Sequence, residues 1–385
     1  MLSCRCARMN FVEYKEYRDI RLSRLGYGCM RFPLRQGSQT EIDGLKAEKL
    51  LDKAFSEGIN YYDTAFPYHG RTCEAFVGRA LVDKHPRGSF YLATKLPVFS
   101  IKTREEAESI FSRQLENLRT DYFDFYLLHA MNAERFENVK KLGLYDMLRE
   151  KQAEGRIRFL GFSFHDSPEV LERILGTWSF DFAQIQLNYL DWVLQNAQRQ
   201  YQILYDRRIP VMVMEPVRGG ALMNLPGKAE ELLRSVHPDW SLASWALRWA
   251  AALPGVQVIL SGMTTEGQLE DNLRTFSDSA RLEGEEEEAL EEARDILLSA
   301  NTIKCTACRY CLPCTKGIVI PSLFAAYNSY LLSGDRESLV SAYKAEKVPG
   351  SACVDCLKCV KACPQKLQVN KLVKDVDKTA RAWGA

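Results

Sequence analysis

The chain has 385 residues and 46% hydrophobic content, which is ample for a large buried core, and parallel α/β barrels of about 250 residues fold as one domain. A formal net charge of +1 argues against a dedicated nucleic-acid binder. There is no apolar run of about 18 residues, so no membrane span is expected. The N-terminus, MLSCRCARMNF, lacks an apolar signal core, which makes the cytoplasm the expected compartment. Met9 is an equally good start, with residues 1–8 a non-native extension. The charge is uneven: residues 299–385 hold 13 Lys and Arg against 6 Asp and Glu, a net of +7, and residues 1–298 carry −6.

In chain order, residues 9–23 alternate (Phe11, Tyr14, Ile20, Leu22) and suit a hairpin. Near-continuous apolar runs follow, as expected of strands buried on both faces. They are Leu25–Met30, Ile59–Asp63, Phe90–Lys95, Phe123–His129, Ile157–Phe164, Phe182–Asn188, Val211–Glu215 and Val256–Ser261. Between them, Leu45–Glu57, Arg104–Leu118, Leu142–Glu154, Pro168–Leu175 and Leu242–Ala252 repeat apolar residues at three and four, one face of a helix. Eight strand–helix units predict a (β/α)₈ TIM barrel, with the hairpin closing its floor. A doubly wound open sheet is the alternative, and the lack of a GxGxxG after any strand lowers it. Glu285–Glu292 holds six Glu and reads as the solvated face of a helix that ends the barrel near residue 300. The barrel is thus expected over 9–300 and a small helical domain over 301–385.

That last domain carries two cysteine runs, Cys305-x2-Cys308-x2-Cys311-x2-Cys314 and Cys353-x2-Cys356-x2-Cys359-x3-Cys363-Pro364. Eight thiols at such spacing, with no signal peptide, read as metal ligands in a reducing compartment. The second run matches the bacterial ferredoxin spacing, closing proline included. In that pattern three thiolates of one run share a [4Fe–4S] cluster with the last thiolate of the other. Cys305, Cys308 and Cys311 would then join Cys363, while Cys353, Cys356 and Cys359 would join Cys314. Two such clusters would add about −4 of charge, so the basic tail is partly a counter-charge. The first run departs from the pattern, since its last gap is two residues and Pro313 precedes Cys314. Cys₄ zinc is the competing reading, but zinc does not call for a third close cysteine in each run. A three-iron form or a single cluster also fits. Cys4, Cys6, Cys29 and Cys73 lack ligand spacing and read as incidental or buried thiols.

The stretch Asn60-Tyr-Tyr-Asp-Thr-Ala-Phe-Pro-Tyr-His, with Glu74, Gly78, Ala80 and Leu81 beyond it, resembles the aldo-keto reductase family over about residues 10–275. The resemblance implies a catalytic tetrad of Asp63, Tyr68, Lys95 and His129. Each of the four lies at or just after a predicted strand end, where barrel enzymes hold their chemistry. Carbonyl reduction needs a hydride on carbon and a proton on oxygen. A free tyrosine titrates near 10, and a neighbouring ammonium stabilises its phenolate. Tyr68 would be the general acid in reduction and the general base in oxidation, Asp63 would hold Lys95, and His129 would orient the carbonyl. Taken singly, the bland readings are a core histidine, a buried ion pair and a loop aromatic.

The same resemblance implies nicotinamide binding, NADP(H) or NAD(H). Ser163 and Gln184 match carboxamide contacts, with Asn188 further along that strand, and Gly262, Gln268 and Asn272 match the adenosine side. Arg218-Gly219-Gly220 suits either a pyrophosphate or a plain turn. Phe164, Met214 and Thr264 depart from the usual residues, and Thr264, Gly267 and Gln268 offer no cation to a 2′-phosphate. The whole chain resembles the subgroup of aldo-keto reductases fused to a dicluster ferredoxin-like domain. That implies an NAD(P)H-dependent oxidoreductase acting on a small carbonyl or alcohol. Its clusters would exchange electrons with a carrier such as ferredoxin or flavodoxin, or serve structure alone. The alternative is an electron-transfer or redox-sensing protein whose barrel binds nucleotide without efficient carbonyl turnover. Neither nucleic acid nor membrane is an expected partner.

Overall fold

The structure is a computed structural model that describes residues 12–38, 40–225, 227–277, 281–299 and 302–385. Phe11, Cys4, Cys6 and the proposed 1–8 extension lie outside the described residues. The chain divides into two compact units. The first is drawn from Met1–Gln186, Gln198–Met214 and Ala250–Arg281, and the second from Leu187–Ala197, Glu215–Trp249 and Leu282–Ala385.

The first unit begins with an antiparallel hairpin, β1 (Tyr14–Tyr17) and β2 (Ile20–Ser23). Eight parallel strands follow: β3 (Leu25–Gly28), β4 (Tyr61–Asp63), β5 (Tyr91–Leu96), β6 (Phe123–Met131), β7 (Ile157–Phe164), β8 (Phe182–Gln186), β9 (Val211–Met214) and β10 (Val256–Ser261). Each pairs with the next, and β10 pairs back with β3 to close the barrel. Every residue of β6 is buried, with inner and outer faces both covered, which is why its sequence runs apolar without alternation.

The hairpin closes one end of this cylinder. Tyr17, Ile20 and Leu22 pack on the inward side chains Tyr61, Phe125, Phe159 and Val258. Each aromatic in this layer buries roughly 150–250 Å² and sets a ring geometry that fixes its neighbours; Tyr17 meets Phe159 edge-on at 5.0 Å. Polar ties complete the join, with Tyr14 Oη donating to the Gly58 carbonyl (2.6 Å) and Lys15 Nζ to that of Val256 (2.7 Å). Asn60, expected inside a strand, precedes β4. Its Oδ1 accepts from the Ser23 amide (2.8 Å) and its Nδ2 donates to the Arg21 carbonyl (2.9 Å), so its side chain serves the hairpin while its carbonyl accepts from the Tyr91 amide of β5 (2.6 Å). The first expected strand also ends early, turning into a 3₁₀ segment over Cys29–Arg31.

The outer helices start where the sequence supplies caps. Thr103 Oγ1 accepts from the Glu106 amide before Arg104–Leu118, and Asn132 Oδ1 from the Arg135 amide before Ala133–Lys141.

The second unit has two apolar cores. One gathers Tyr189, Leu222, Leu233, Trp245, Leu290 and Leu297, including the buried face of the helix Glu285–Ser299. That helix turns most of its glutamates to solvent, but Glu286 Oε1 meets His237 Nε2 at 2.6 Å. The other core gathers Leu323, Phe324, Leu339, Val373 and Val376 from the helices Ile320–Ser333, Arg336–Ala345 and Val369–Ala382, with Ile318 just ahead of the first. No helix among the described residues is long and apolar enough to cross a membrane.

Candidate functional site

The C-terminal ends of β4, β5 and β6 bring three of the expected tetrad residues together. Asp63 ends β4, Lys95 is the penultimate residue of β5, and His129 lies near the end of β6. Lys95 Nζ donates to Asp63 Oδ1 at 2.6 Å and to the Thr64 carbonyl at 2.8 Å. Both side chains are buried. Tyr68 lies in the turn after β4, half-buried. Lys95 Nζ stands 5.3 Å from its ring centroid, and the His129 ring is 6.1 Å away, edge to face. Phe99 packs on His129 from another side at 5.6 Å.

Burial governs the electrostatics here. It pushes the Asp63 carboxyl up, and the Lys95 ammonium pulls the other way through charge and hydrogen bond. Burial, aided by the positive charge of Lys95, drives His129 well below the ordinary imidazole range. The imidazole is therefore neutral across physiological pH, with one ring nitrogen a donor and the other an acceptor. His165 is likewise pushed down to about 4 by burial.

Two features behind this cluster were not read from sequence. Glu74 Oε1 accepts from Thr94 Oγ1 and Gln114 Nε2, both at 2.6 Å, and Gln114 also donates to the Lys95 carbonyl at 3.1 Å. This buried network fixes the strand that carries Lys95. The other feature is the kink in β6 after His129. Ala130 adopts φ +55° where the β6–β7 register shifts, and its amide donates to Ser163 Oγ at 2.7 Å. Ser163, expected to meet a nicotinamide, thus also holds the backbone beside His129.

Gln184 on β8 is buried. Its Nε2 reaches Met214 Sδ at 3.8 Å, while its Oε1 has no hydrogen-bond partner among the described residues. A buried carbonyl left alone costs about 1–3 kcal/mol, and a ligand N–H, such as that of a carboxamide, would satisfy it. At the end of β10, Asn272 Nδ2 donates to Ser261 Oγ (2.7 Å), and Gln268 Oε1 accepts from the Thr264 amide (2.8 Å). Gly262 is crowded, since a Cβ there would stand 2.4 Å from Arg31 Cγ. Thr264 Oγ1 donates to the Arg31 carbonyl at 2.8 Å. Arg31 is thus a cation beside this segment that reading along the chain does not reveal.

In the second unit, Asn188 Nδ2 donates to Asp191 Oδ2 (2.8 Å) and to the Glu215 carbonyl (3.1 Å). Arg218 Nε donates to Asp191 Oδ1 at 3.1 Å, with both side chains almost wholly buried. The ion pair explains why this turn is held in place. One guanidinium nitrogen, Nη2, remains without a partner among the described residues. Gly219 and Gly220 take φ +64° and +101°, which glycine adopts at no steric cost.

The cysteine runs line two separate small cavities. Cys305, Cys308, Cys311 and Cys363 line one, closed by Ile320, Phe324 and Leu367. Cys314, Cys353, Cys356 and Cys359 line the other. Thr315 Oγ1 lies 3.3 Å from Cys356 Sγ, joining the loop of Cys314 to the second run. Paired hydrogen bonds between Ile303 and Asn328, both 2.8 Å, anchor the chain ahead of Cys305. The Ser351 amide, bonded to Asp377 Oδ1 at 2.9 Å, does so ahead of Cys353. Four thiols around each apolar-walled cavity fit a four-iron cluster. Cys29 and Cys73 are buried elsewhere, and Cys73 Sγ donates to the Cys29 carbonyl.

Residues 24–295 match the Aldo/keto reductase family, and residues 304–367 match a 4Fe-4S dicluster domain. An uncharacterized oxidoreductase of Bacillus subtilis is 25% identical over 303 residues, covering 71% of this chain and 93% of the relative. L-galactose dehydrogenase of Arabidopsis thaliana is 24% identical, covering 72% and 91%. Among solved structures, an aldo-keto reductase from Bacillus halodurans in its holo form superposes with a TM-score of 0.59 at 25% identity, over 73% of this chain and 96% of that one. A thermostable aldo-keto reductase bound to the inhibitor epalrestat gives 0.61 at 22% identity, over 73% and 99%, and so shares the fold.

Proposed function

The chain belongs to the aldo/keto reductase family and carries a 4Fe-4S dicluster domain, and we propose that it interconverts a small carbonyl and its alcohol with NADP(H) or NAD(H). We assign residues 9–300 to the catalytic barrel and 301–385 to a domain holding two [4Fe–4S] clusters that serve electron transfer. The observation that carries the reading is the buried Asp63–Lys95 pair, with the Tyr68 ring 5.3 Å from the ammonium and His129 beside it.

When bound, the dihydropyridine supplies the hydride to the carbonyl carbon. Tyr68 gives its phenolic proton to the carbonyl oxygen, and in alcohol oxidation it takes that proton back. The Lys95 ammonium favours the phenolate so formed, and Asp63 keeps Lys95 in position. Neutral His129 offers a ring N–H that orients the oxygen. Ser163 and Gln184 would hold the carboxamide end; the unsatisfied Gln184 Oε1 supports that role. Arg218 and Gly219 would meet the pyrophosphate, supported by the unpartnered Arg218 Nη2. Gly262, Gln268 and Asn272 would hold the adenosine. Cys305, Cys308, Cys311 and Cys363 would ligate one cluster, and Cys314, Cys353, Cys356 and Cys359 the other. Such clusters carry single electrons, so an external carrier of ferredoxin or flavodoxin type is the fitting partner.

Anaerobic purification tests the reading. It requires about eight irons per chain, a visible iron–sulfur absorption, and saturable binding of a reduced nicotinamide. Zinc in place of iron, or no nucleotide binding, would overturn it.

A further inference from the structure

We propose that the surface around the cavity of Cys314, Cys353, Cys356 and Cys359 is the docking site for an acidic protein that carries single electrons. This rests on the reading that those four cysteines hold a cluster.

The two cysteine cavities differ in how they meet solvent. Cys305, Cys308, Cys311 and Cys363 are all partly buried, and none of the large exposed apolar residues lines their cavity. In the other, Cys356 is exposed and the whole run 354–358 lies in solvent. Val354 is 56% exposed and Leu357 43%, and both line that cavity. These are two of the few large apolar side chains left uncovered anywhere among the described residues. Uncovered apolar groups beside a functional cavity, rimmed by polar residues, mark a contact site.

The rim decides what kind of partner fits. Lys316 lines the cavity, and Lys358 and Lys361 follow Leu357 in the chain; all three are exposed. None has a carboxylate partner among the described residues, whereas the one acid in the run, Asp355, is already taken. Asn370 Nδ2 donates to its Oδ1 at 2.9 Å and Lys374 pairs with its Oδ2. The face is therefore apolar at its centre and positive around it. Charge of one sign around a small apolar patch speeds encounter with an oppositely charged partner and lets it leave quickly. Redox encounters have that small, transient character. In each encounter the reduced carrier would lose one electron, and the cluster that Cys314, Cys353, Cys356 and Cys359 would hold would gain it.

The test uses the full-length protein with its clusters, purified anaerobically, and an acidic two-cluster bacterial ferredoxin as the probe. Affinity is measured by calorimetry at low and high salt. Lys316→Glu/Lys358→Glu should weaken low-salt binding by about tenfold or more and flatten its salt dependence. Val354→Ser/Leu357→Asn should weaken it several-fold at any salt; asparagine tolerates the left-handed backbone of residue 357 (φ +58°). Lys344→Glu/Lys378→Glu, the same charge change on two other helices, should bind within twofold of the parent. Iron content and visible spectrum should match across all variants, which separates docking from cluster loss. Unchanged ferredoxin affinity in both patch variants would overturn the proposal. So would loss of self-association in the Val354/Leu357 variant with ferredoxin binding intact, since a second copy would then be the occupant. A parent protein without iron would overturn the cluster reading itself, and docking with it.

Discussion

Lys95→Met is the sharpest perturbation of the barrel. Methionine keeps the apolar stem of the side chain and removes the ammonium. Asp63 then loses the 2.6 Å donor to its Oδ1, and its Oδ2 already has no partner among the described residues. Breaking a buried pair from one side costs about 3–5 kcal/mol, because the remaining charge stays desolvated. The carboxyl can lower that cost by taking a proton, since burial raises it and nothing would then pull it back. The unfolded chain releases that proton above about pH 4. The variant should therefore be least impaired at low pH and lose stability as pH rises through the folded value. Urea unfolding of parent and variant at pH 5 and pH 8 measures both effects. Asp63→Asn in the Lys95→Met background should recover much of the loss at pH 8. A loss under about 1 kcal/mol, equal at both pH values, would refute the reasoning.

Three other expectations follow from the same geometry. His129 and His165 are held below their ordinary range, His165 at about 4, so the unfolded chain takes up protons that the folded one refuses. Stability should be complete above about pH 6.5 and fall as pH drops toward 4; a melting curve of His165→Asn should show a shallower acid loss. Ser163→Ala leaves the buried Ala130 amide without its acceptor, which should cost about 1–3 kcal/mol in thermal unfolding and reduce turnover through the displaced His129. Gly78→Ala puts a Cβ 2.3 Å from the Asn117 carbonyl oxygen, and a backbone clash of that kind should cost about 1–3 kcal/mol; a melting temperature unchanged from the parent would contradict it.

Much of the barrel was legible because its strands are buried on both faces. Ile157–Phe164 and Val256–Ser261 begin and end where the apolar runs do. β4 starts one or two residues later than its apolar run, where the Asn60 side chain turns to the hairpin. Asp63, Lys95 and His129 could be anticipated together because the family resemblance implies them, and each falls at or near a strand end. The partners that support them could not. Glu74 stands in the family motif, but its partners Thr94 and Gln114 lie 20 and 40 residues away in the chain, and no local pattern announces that they meet it. Arg218 looked like a loop cation available to phosphate, and only the fold discloses that Asp191 engages its Nε. Arg31 escaped notice for the same reason, since its neighbour Thr264 is 233 residues away. Cysteine spacing is a local property, and the loops that bear it need only a short reach to close around one cavity.

The most direct test of the account is single-turnover hydride transfer by Tyr68→Phe, followed as nicotinamide absorbance on mixing with a small carbonyl. The phenol contributes one proton and nothing else, so transfer should slow by about 10²–10⁴-fold while nucleotide affinity and the cluster spectrum stay unchanged. Transfer at the parent rate would mean that the proton comes from elsewhere and that Asp63, Lys95 and His129 assemble around the wrong residue.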